Sequence, residues 1–324
     1  MSKSSPLAVS IISGFLGSGK TTLLKKILSN CSTPSRIAVV ENELGELSVD
    51  DTILTDASSV RVDTVLGRTC CETKGAFVSL LREISQKSDS YDRLIIESTG
   101  VAHPAMMANS ILSDRVLSEK MRVDGIITVV DAVNFNLHLD GDGHAREQVA
   151  YADTIIINKC DLATEVDIEN INRILSEINP VAKRVLTSYA DVDISNLFEL
   201  GGFDANRIAD SVKKSIGVVC ELLNHKEHEI KTVAVKSHKP YAFLTFKQWL
   251  EDYIERCGGN LYRAKGVLSL ANVDKQVVLQ GVHDNLYIDL GNDWGDLPRE
   301  SKLIFIGKNL NKEEIENGLN SCHF

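Results

Sequence analysis

The sequence predicts an α/β protein: a doubly wound, mostly parallel sheet covered by helices, followed by a smaller α+β domain. Three observations carry this. Short Val- and Ile-rich runs alternate with longer amphipathic stretches through the first 200 residues, strands dominate after residue 231, and the 324-residue length suits about two domains. The expected strands of the first part are Leu7 to Phe15, Arg36 to Asn42, Arg93 to Thr99, Gly125 to Asp131, Thr154 to Asn158 and Arg184 to Ser188. Between them, Lys20 to Ser29, Gly75 to Lys87, Pro104 to Leu117 and Glu165 to Ile178 read as helices. The last places Ile168, Ile171, Ile174, Leu175 and Ile178 at helical spacing. Near-continuous apolar strands separated by crossover helices imply a parallel sheet buried on both faces.

The pattern loosens at Gly201 and Gly202 and runs through a polar stretch to about Lys231, which predicts domains at 1–200 and 231–324 joined by a linker at 201–230. In the second part the expected strands are Lys231 to Lys236, Tyr241 to Phe246, Leu261 to Leu270, Val277 to Leu290 and Ser301 to Gly307. The expected helices are Lys247 to Cys257 and Lys312 to Leu319.

Acidic residues outnumber basic ones, 45 against 35, for a net charge of −10 without a basic block, which argues against nucleic acid as the main partner. No apolar run approaches the roughly 20 residues of a membrane helix. The N-terminus lacks a charged-then-apolar export pattern, so the expectation is a soluble, cytoplasmic protein without a membrane partner. Seven cysteines, an odd number, do not suggest a disulfide framework, and thiols are the expected state. Cys70 and Cys71 are adjacent, and the pair reads as metal ligands, as a redox pair or as two small buried residues.

Gly14-Phe15-Leu16-Gly17-Ser18-Gly19-Lys20-Thr21 fits G-x-x-x-x-G-K-[ST], between an apolar strand and an expected helix. This is the context of a phosphate-binding loop. The glycines let successive N–H groups face the phosphates, and the helix N-terminus adds partial positive charge. Lys20 is placed on the β/γ oxygens and Thr21 on Mg2+. Asn158-Lys159-Cys160-Asp161 follows another apolar strand and has the N-K-x-D pattern. The Asp161 carboxylate accepts from the ring N–H and the amine of guanine, a donor pair that adenine lacks, while the Lys159 stem packs on the base. Together the two motifs predict GTP rather than ATP. Between them a strand ends in Glu97-Ser98-Thr99-Gly100, which assigns Glu97 to Mg2+, directly or through water, and the Gly100 N–H to the γ-phosphate.

The series G-F-L-G-S-G-K-T-T at 14 to 22, E-N-E-L-G-E at 41 to 46, a cysteine segment near 70, E-S-T-G at 97 to 100 and N-K-C-D at 158 to 161 resembles the CobW-type GTPases. These group with the hydrogenase and urease nickel-insertion GTPases. The C-terminal part resembles the second domain of that family at Arg263-Ala264-Lys265-Gly266, Gln280-Gly281-Val282-His283 and Leu303-Ile304-Phe305-Ile306-Gly307. The resemblance adds Thr22 to the nucleotide site. It implies slow GTP hydrolysis coupled to delivery or insertion of a metal, with Zn2+ and Co2+ the metals most associated, and a client metalloprotein or cofactor-dependent enzyme as partner.

The metal motif of that family is G-C-x-C-C, whereas this chain has Gly67-Arg68-Thr69-Cys70-Cys71. A guanidinium does not coordinate a metal, so two thiolates need further ligands to complete a tetrahedron. Glu43, Glu46, Glu72 and His103 are candidates, and Glu43 is assigned with Cys70 and Cys71 to cargo metal. Glu41, Glu43 and Glu46 read either as metal ligands or as acidic loop residues beside the phosphate site. His225 and His228, with Glu227, Glu229 and the nearby His238, read as solvated linker residues or as a weak chelating group. His138 and His144, around Asp140 and Asp142, have the same two readings, and His283 is expected inside a strand. No arginine finger or water-orienting glutamine is assignable, which implies slow turnover until a client or metal engages.

Overall fold

In the computed structural model, the described residues are 6–30, 35–41, 60–65, 74–100, 102–139, 143–194, 197–198, 208–209, 212 and 229–324. They form two compact units. One contains residues 1–148, 152–171 and 183–200, and the other contains 149–151, 172–182 and 201–324.

The first unit is built on β1 (Leu7–Gly14), α1 (Lys20–Asn30), β2 (Ser35–Glu41), β3 (Val60–Val65), α2 (Lys74–Gln86), β4 (Arg93–Glu97), α3 (Pro104–Leu112) and α4 (Arg115–Lys120). It continues through β5 (Met121–Asp131), α5 (Phe135–Leu139), α6 (His144–Tyr151), β6 (Thr154–Asn158), α7 (Glu165–Ile178) and β7 (Lys183–Leu186), with the ends of α6 and α7, from 149 and from 172, counted in the second unit. Its seven strands among the described residues are all parallel, in the order β3-β2-β4-β1-β5-β6-β7. The chain winds outward from β1 in both directions, as the apolar strand runs predicted. Val9, Ile11, Ile12, Ile95, Ile96, Ile127 and Ile156 are buried at 1% exposure or less, because helices cover both faces of the central strands. An ion pair crosses β1, from Arg93 Nη1 on β4 to Asp124 Oδ2 on β5 at 2.7 Å, and Ser10 Oγ accepts from the same nitrogen.

The second unit carries β8 (Ile230–Ser237), α8 (Phe243–Cys257), β9 (Leu261–Leu268), β10 (Lys275–Val282), β11 (Asn285–Asp293), β12 (Ser301–Lys308) and α9 (Lys312–Asn320). Its sheet is antiparallel in the order β11-β10-β9-β12-β8. Val233, Ala264, Leu279, Leu303 and Phe305 share one face and form a core with Phe246, Leu250 and Tyr253 of α8 and Ile315 and Leu319 of α9. Alternate residues Thr232, Arg263, Lys265 and Gln280 are also buried, and the Thr232 hydroxyl donates to Ile178 O at 3.1 Å.

Several elements differ from expectation. Tyr241 to Phe246 is not a strand: Tyr241 makes two single bridges, and the helix starts at Phe243, shortly after β8 ends at Ser237. Tyr241 packs in the core just before α8, Phe246 lies on the buried face of α8, and Phe243 is exposed. Val277 to Leu290 is two strands joined at His283-Asp284, so His283 sits in a turn at φ +53° rather than inside a strand. Pro104 to Leu117 divides because Asp114 caps a new helix, its carboxylate accepting from the N–H groups of Val116 and Leu117. β3, α5 and α6 were not anticipated. Among the described residues no helix is long and apolar enough to cross a membrane.

Candidate functional site: a nucleotide cradle at the strand ends

The C-terminal ends of β1, β4, β5, β6 and β7 bring the predicted nucleotide residues together. β1 ends at Gly14, and the chain turns through Phe15 to Gly19 into α1 at Lys20. Gly14, Gly17 and Gly19 have φ of +142°, +75° and +109°, where a side chain is strained. A Cβ on Gly14 would strike Val129 O, and one on Gly19 would strike the Asn158 carboxamide, so two glycines are also required by close approach. Ser18 is fully buried, and Thr22 is exposed on the first turn of α1.

Lys20 is only 8% exposed, and its ammonium donates to Phe15 O at 3.1 Å, back across the loop. The Thr21 hydroxyl donates to Glu97 Oε1 at 2.7 Å, and Glu97 is buried at the end of β4. A hydroxyl and a carboxylate side by side are an oxygen-only donor set of the kind Mg2+ takes. Gly100 lies against the loop: a Cβ there would be 2.7 Å from Leu16 N.

The base end is equally tied down. Asn158 Nδ2 donates to Ser18 O at 2.9 Å, and Asn158 Oδ1 accepts from the Ala190 N–H at 2.8 Å. Lys159 adopts a left-handed backbone, φ +63°, and its ammonium pairs with Asp131 Oδ2 at 2.8 Å. Burial raises the Asp131 carboxyl, but hydrogen bonds from Lys159, Asn134 and the Val133 and Asn134 N–H groups outweigh it and hold the group below the ordinary Asp value. Asp161 is exposed, with its N–H donating to Ser188 Oγ at 3.1 Å. Cys160 is half-buried, and that burial pushes its thiol up, away from reactivity.

Three features escaped sequence reasoning. Asp131 ends β5 as Glu97 ends β4, and a lone acidic residue closing an apolar run was the clue to both. The loop Ser188 to Ala190 flanks Asp161, with Tyr189 and Ala190 at φ +54° and +53°. Without glycine there, nothing in the sequence marks the turn. His138 of α5 packs on Phe15 with ring centroids 4.2 Å apart, and burial lowers its pKa more than the Asp131 charge raises it.

Glu43, Glu46, Arg68, Cys70, Cys71, Glu72, Asp140, Asp142, His225, Glu227 and His228 lie outside the described residues. Glu41 ends β2. His103 and His144 meet Glu147 in the first unit. His238 is largely exposed beside Glu300, and Glu229 pairs with Lys308.

A glycine loop entering a helix, a Thr–Glu oxygen pair and an N-K-x-D turn at one end of a parallel sheet define a P-loop GTPase. Two family models match the chain: "CobW/HypB/UreG, nucleotide-binding domain" over residues 8–186 and "Cobalamin synthesis protein cobW C-terminal domain" over residues 230–323. The chain belongs to the CobW/HypB/UreG family, as the motif series indicated. It is 33% identical over 314 residues to the zinc chaperone YjiA of Escherichia coli, covering 96% of each chain. It is 29% identical to the zinc-regulated GTPase metalloprotein activator 1 of Saccharomyces cerevisiae, covering 96% of this chain and 82% of that one. The crystal structure of Zn(II)-bound YjiA GTPase from Escherichia coli superposes with a TM-score of 0.77 at 29% identity, covering 99% of this chain and all of the other. A Zn(II)-bound YjiA triple mutant superposes with a TM-score of 0.78 at 28% identity, with the same coverage.

Proposed function

We propose that this GTPase is a metallochaperone or metalloenzyme activation factor in which the nucleotide gates a metal site containing Cys70 and Cys71. The convergence of Lys20, Thr21, Glu97, Gly100 and Asn158 on one cradle carries the nucleotide half of this reading. The relatives named as zinc chaperones and zinc-regulated activators support the metal half. The proposal includes a GTPase domain at 1–200, a linker at 201–230 and a C-terminal domain at 231–324, acting in the cytoplasm.

Gly14, Gly17, Ser18, Gly19 and Thr22 line the phosphate path, and Lys20 leaves Phe15 O for the β/γ oxygens. Thr21 and Glu97 hold Mg2+, which, when bound, neutralises charge on the two outer phosphates. Water attacks the γ-phosphorus in line, the bond to the β-phosphate oxygen breaks, and GDP and phosphate leave with the displaced proton in solvent. The Gly100 N–H stabilises charge on the γ-phosphate and transmits its loss. Asn158 and Lys159 frame the base, and Asp161 accepts from guanine.

Cargo Zn2+ or Co2+ is assigned to Cys70, Cys71 and Glu43, and the recipient is a client metalloprotein or cofactor-dependent enzyme. Arg68 favours a second reading, a GTP-dependent scaffold for a partner enzyme that carries no metal itself. Co2+ titration in the presence of Mg2+ and either GDP or a non-hydrolysable GTP analogue separates the two. A thiolate charge-transfer band that depends on the γ-phosphate and disappears in Cys70→Ser supports the carrier. No such band in either nucleotide state, in a chain that still hydrolyses GTP, supports the scaffold.

A further inference from the structure

The described residues of the first unit gather two imidazoles and a carboxylate. One ligand atom from each of His103, His144 and Glu147 lies within 4.8 Å of the other two. His103 Nδ1 is 3.0 Å from Glu147 Oε2, and His144 Nδ1 is 4.0 Å from the same oxygen. The two rings meet edge to face with centroids 5.1 Å apart.

The backbone dictates this meeting. His103 precedes Pro104, has extended geometry at the entrance to α3, and makes no capping bond with its side chain. His144 opens α6 and Glu147 lies one turn on, so both point from the same face of that helix. The three side chains are partly exposed, at 37%, 34% and 22%, which leaves an ion a route in and room for a fourth ligand.

Two His and one Glu with an open position is a donor set that Zn2+ and Co2+ accept. Tetrahedral bonds of about 2.0–2.1 Å put ligand atoms roughly 3.4 Å apart, so the trio closes on an ion by small rotations of half-exposed rings. The residue beside Glu147 adds a connection. Gln148 is buried, and its Nε2 donates to Gly100 O at 2.9 Å and to Ala102 O at 3.3 Å, while Thr128 holds the Gln148 carbonyl at 2.8 Å. α6 is thereby already fastened to Gly100 and Ala102.

We propose that His103, His144 and Glu147 form a second transition-metal site, made without Cys70 or Cys71, that clamps the entrance of α3 at His103 onto α6. The ion is of the Zn2+ or Co2+ class, with the fourth position open to water or to a ligand atom of a client. Because Gly100 lies against Leu16 of the phosphate loop, occupancy of this site and the nucleotide state are linked. By reciprocity, the factor by which metal affinity differs between the GTP-analogue and GDP states equals the factor by which metal changes the preference for the analogue over GDP. This linkage rests on the nucleotide reading above, whereas metal binding at the trio does not.

The test is metal binding to the full-length chain carrying Cys70→Ser and Cys71→Ser. Co2+ absorbance gives the ligand type, and Zn2+ competition against a chromophoric chelator gives the affinity. The expected result is one ion per chain with visible d–d bands and no thiolate charge-transfer band. Adding His144→Ala or Glu147→Gln should weaken it by more than about tenfold, a loss already reached when only the groups that hydrogen-bond to metal ligands are removed. GDP binding measured on the same variants shows that they are folded. The proposal is overturned if the cysteine-free chain binds no ion, or if its affinity is the same with and without His144 and Glu147. Repeating the titration with GDP and with a GTP analogue tests the linkage, and equal affinities would overturn that part. Lys20→Ala, which impairs the nucleotide site, should leave the nucleotide-free metal affinity unchanged, so failure of either reading is seen separately.

Discussion

The two sheets bury polar residues in different places. In the parallel sheet, Ser13, Glu97, Asp131 and Asn158 are buried at the C-terminal ends of four adjacent strands, with Ser18 and Lys20 just beyond. In the antiparallel sheet, Thr232, Arg263, Lys265 and Gln280 are buried within strands, alternating with the apolar residues of the core. Parallel strands point the same way, so their ends gather side chains and backbone N–H groups at one edge, where a ligand can meet them. Antiparallel strands end alternately on both sides and offer a face instead. The first arrangement builds a small-molecule site, and the second builds a surface.

Four substitutions test this contrast. Phe305→Ala opens a cavity in a side chain with 0% exposure, and should cost about 3–5 kcal/mol in chemical denaturation while leaving GTP affinity within threefold or so. A parallel collapse of GTP affinity would show that the antiparallel unit supports the cradle directly. Lys20→Ala removes the cation of the phosphate loop, and kcat should fall by about 10²–10³-fold. An unchanged kcat in single-turnover assays would take the strand-end residues out of the chemistry. Asp161→Asn keeps one acceptor and loses a charge-assisted pair, so GTP should bind about 10–100-fold more weakly with ATP affinity unaltered. Competition binding with the two nucleotides reads this directly.

The smallest effect concerns pH. His138 is held neutral against Phe15, with its pKa below the ordinary 6.5. A depressed imidazole binds its proton more readily in the unfolded chain, so stability is complete above about pH 6.5 and falls as the pH drops through the window below it. The melting temperature of wild type should decline across that window, and His138→Gln should flatten the decline.

Much of this arrangement was legible beforehand because parallel strands write it plainly. Runs such as Thr154 to Ile157 are apolar without interruption, and the motif residues follow them at once. β3, Val60-Arg61-Val62-Asp63-Thr64-Val65, lies at the sheet edge and needs no continuous apolar run, so it left a weaker mark. The aromatic run at Tyr241 to Phe246 read as a strand because β-propensity reflects packing on a half-buried surface, and here Tyr241 packs from the chain before α8 and Phe246 from the helix itself. Within the site, residues fixed by local motif were visible, whereas partners supplied from elsewhere in the chain were not. Asp131 meets Lys159, and Ala190 meets Asn158, only through the register of neighbouring strands. His103 and His144 each stood out singly, but their meeting at Glu147 depends on where α6 packs.

The Asn158 carboxamide joins Ser18 of the phosphate loop to Ala190 of the base loop. A genetic screen would therefore misfile it. Substitutions at this position belong by motif with those that alter the choice of nucleotide, yet their phenotype should group with Lys20 alleles, as loss of function rather than change of preference. An attempt to re-engineer the base preference of this chain has its freedom at Asp161 and not at Asn158.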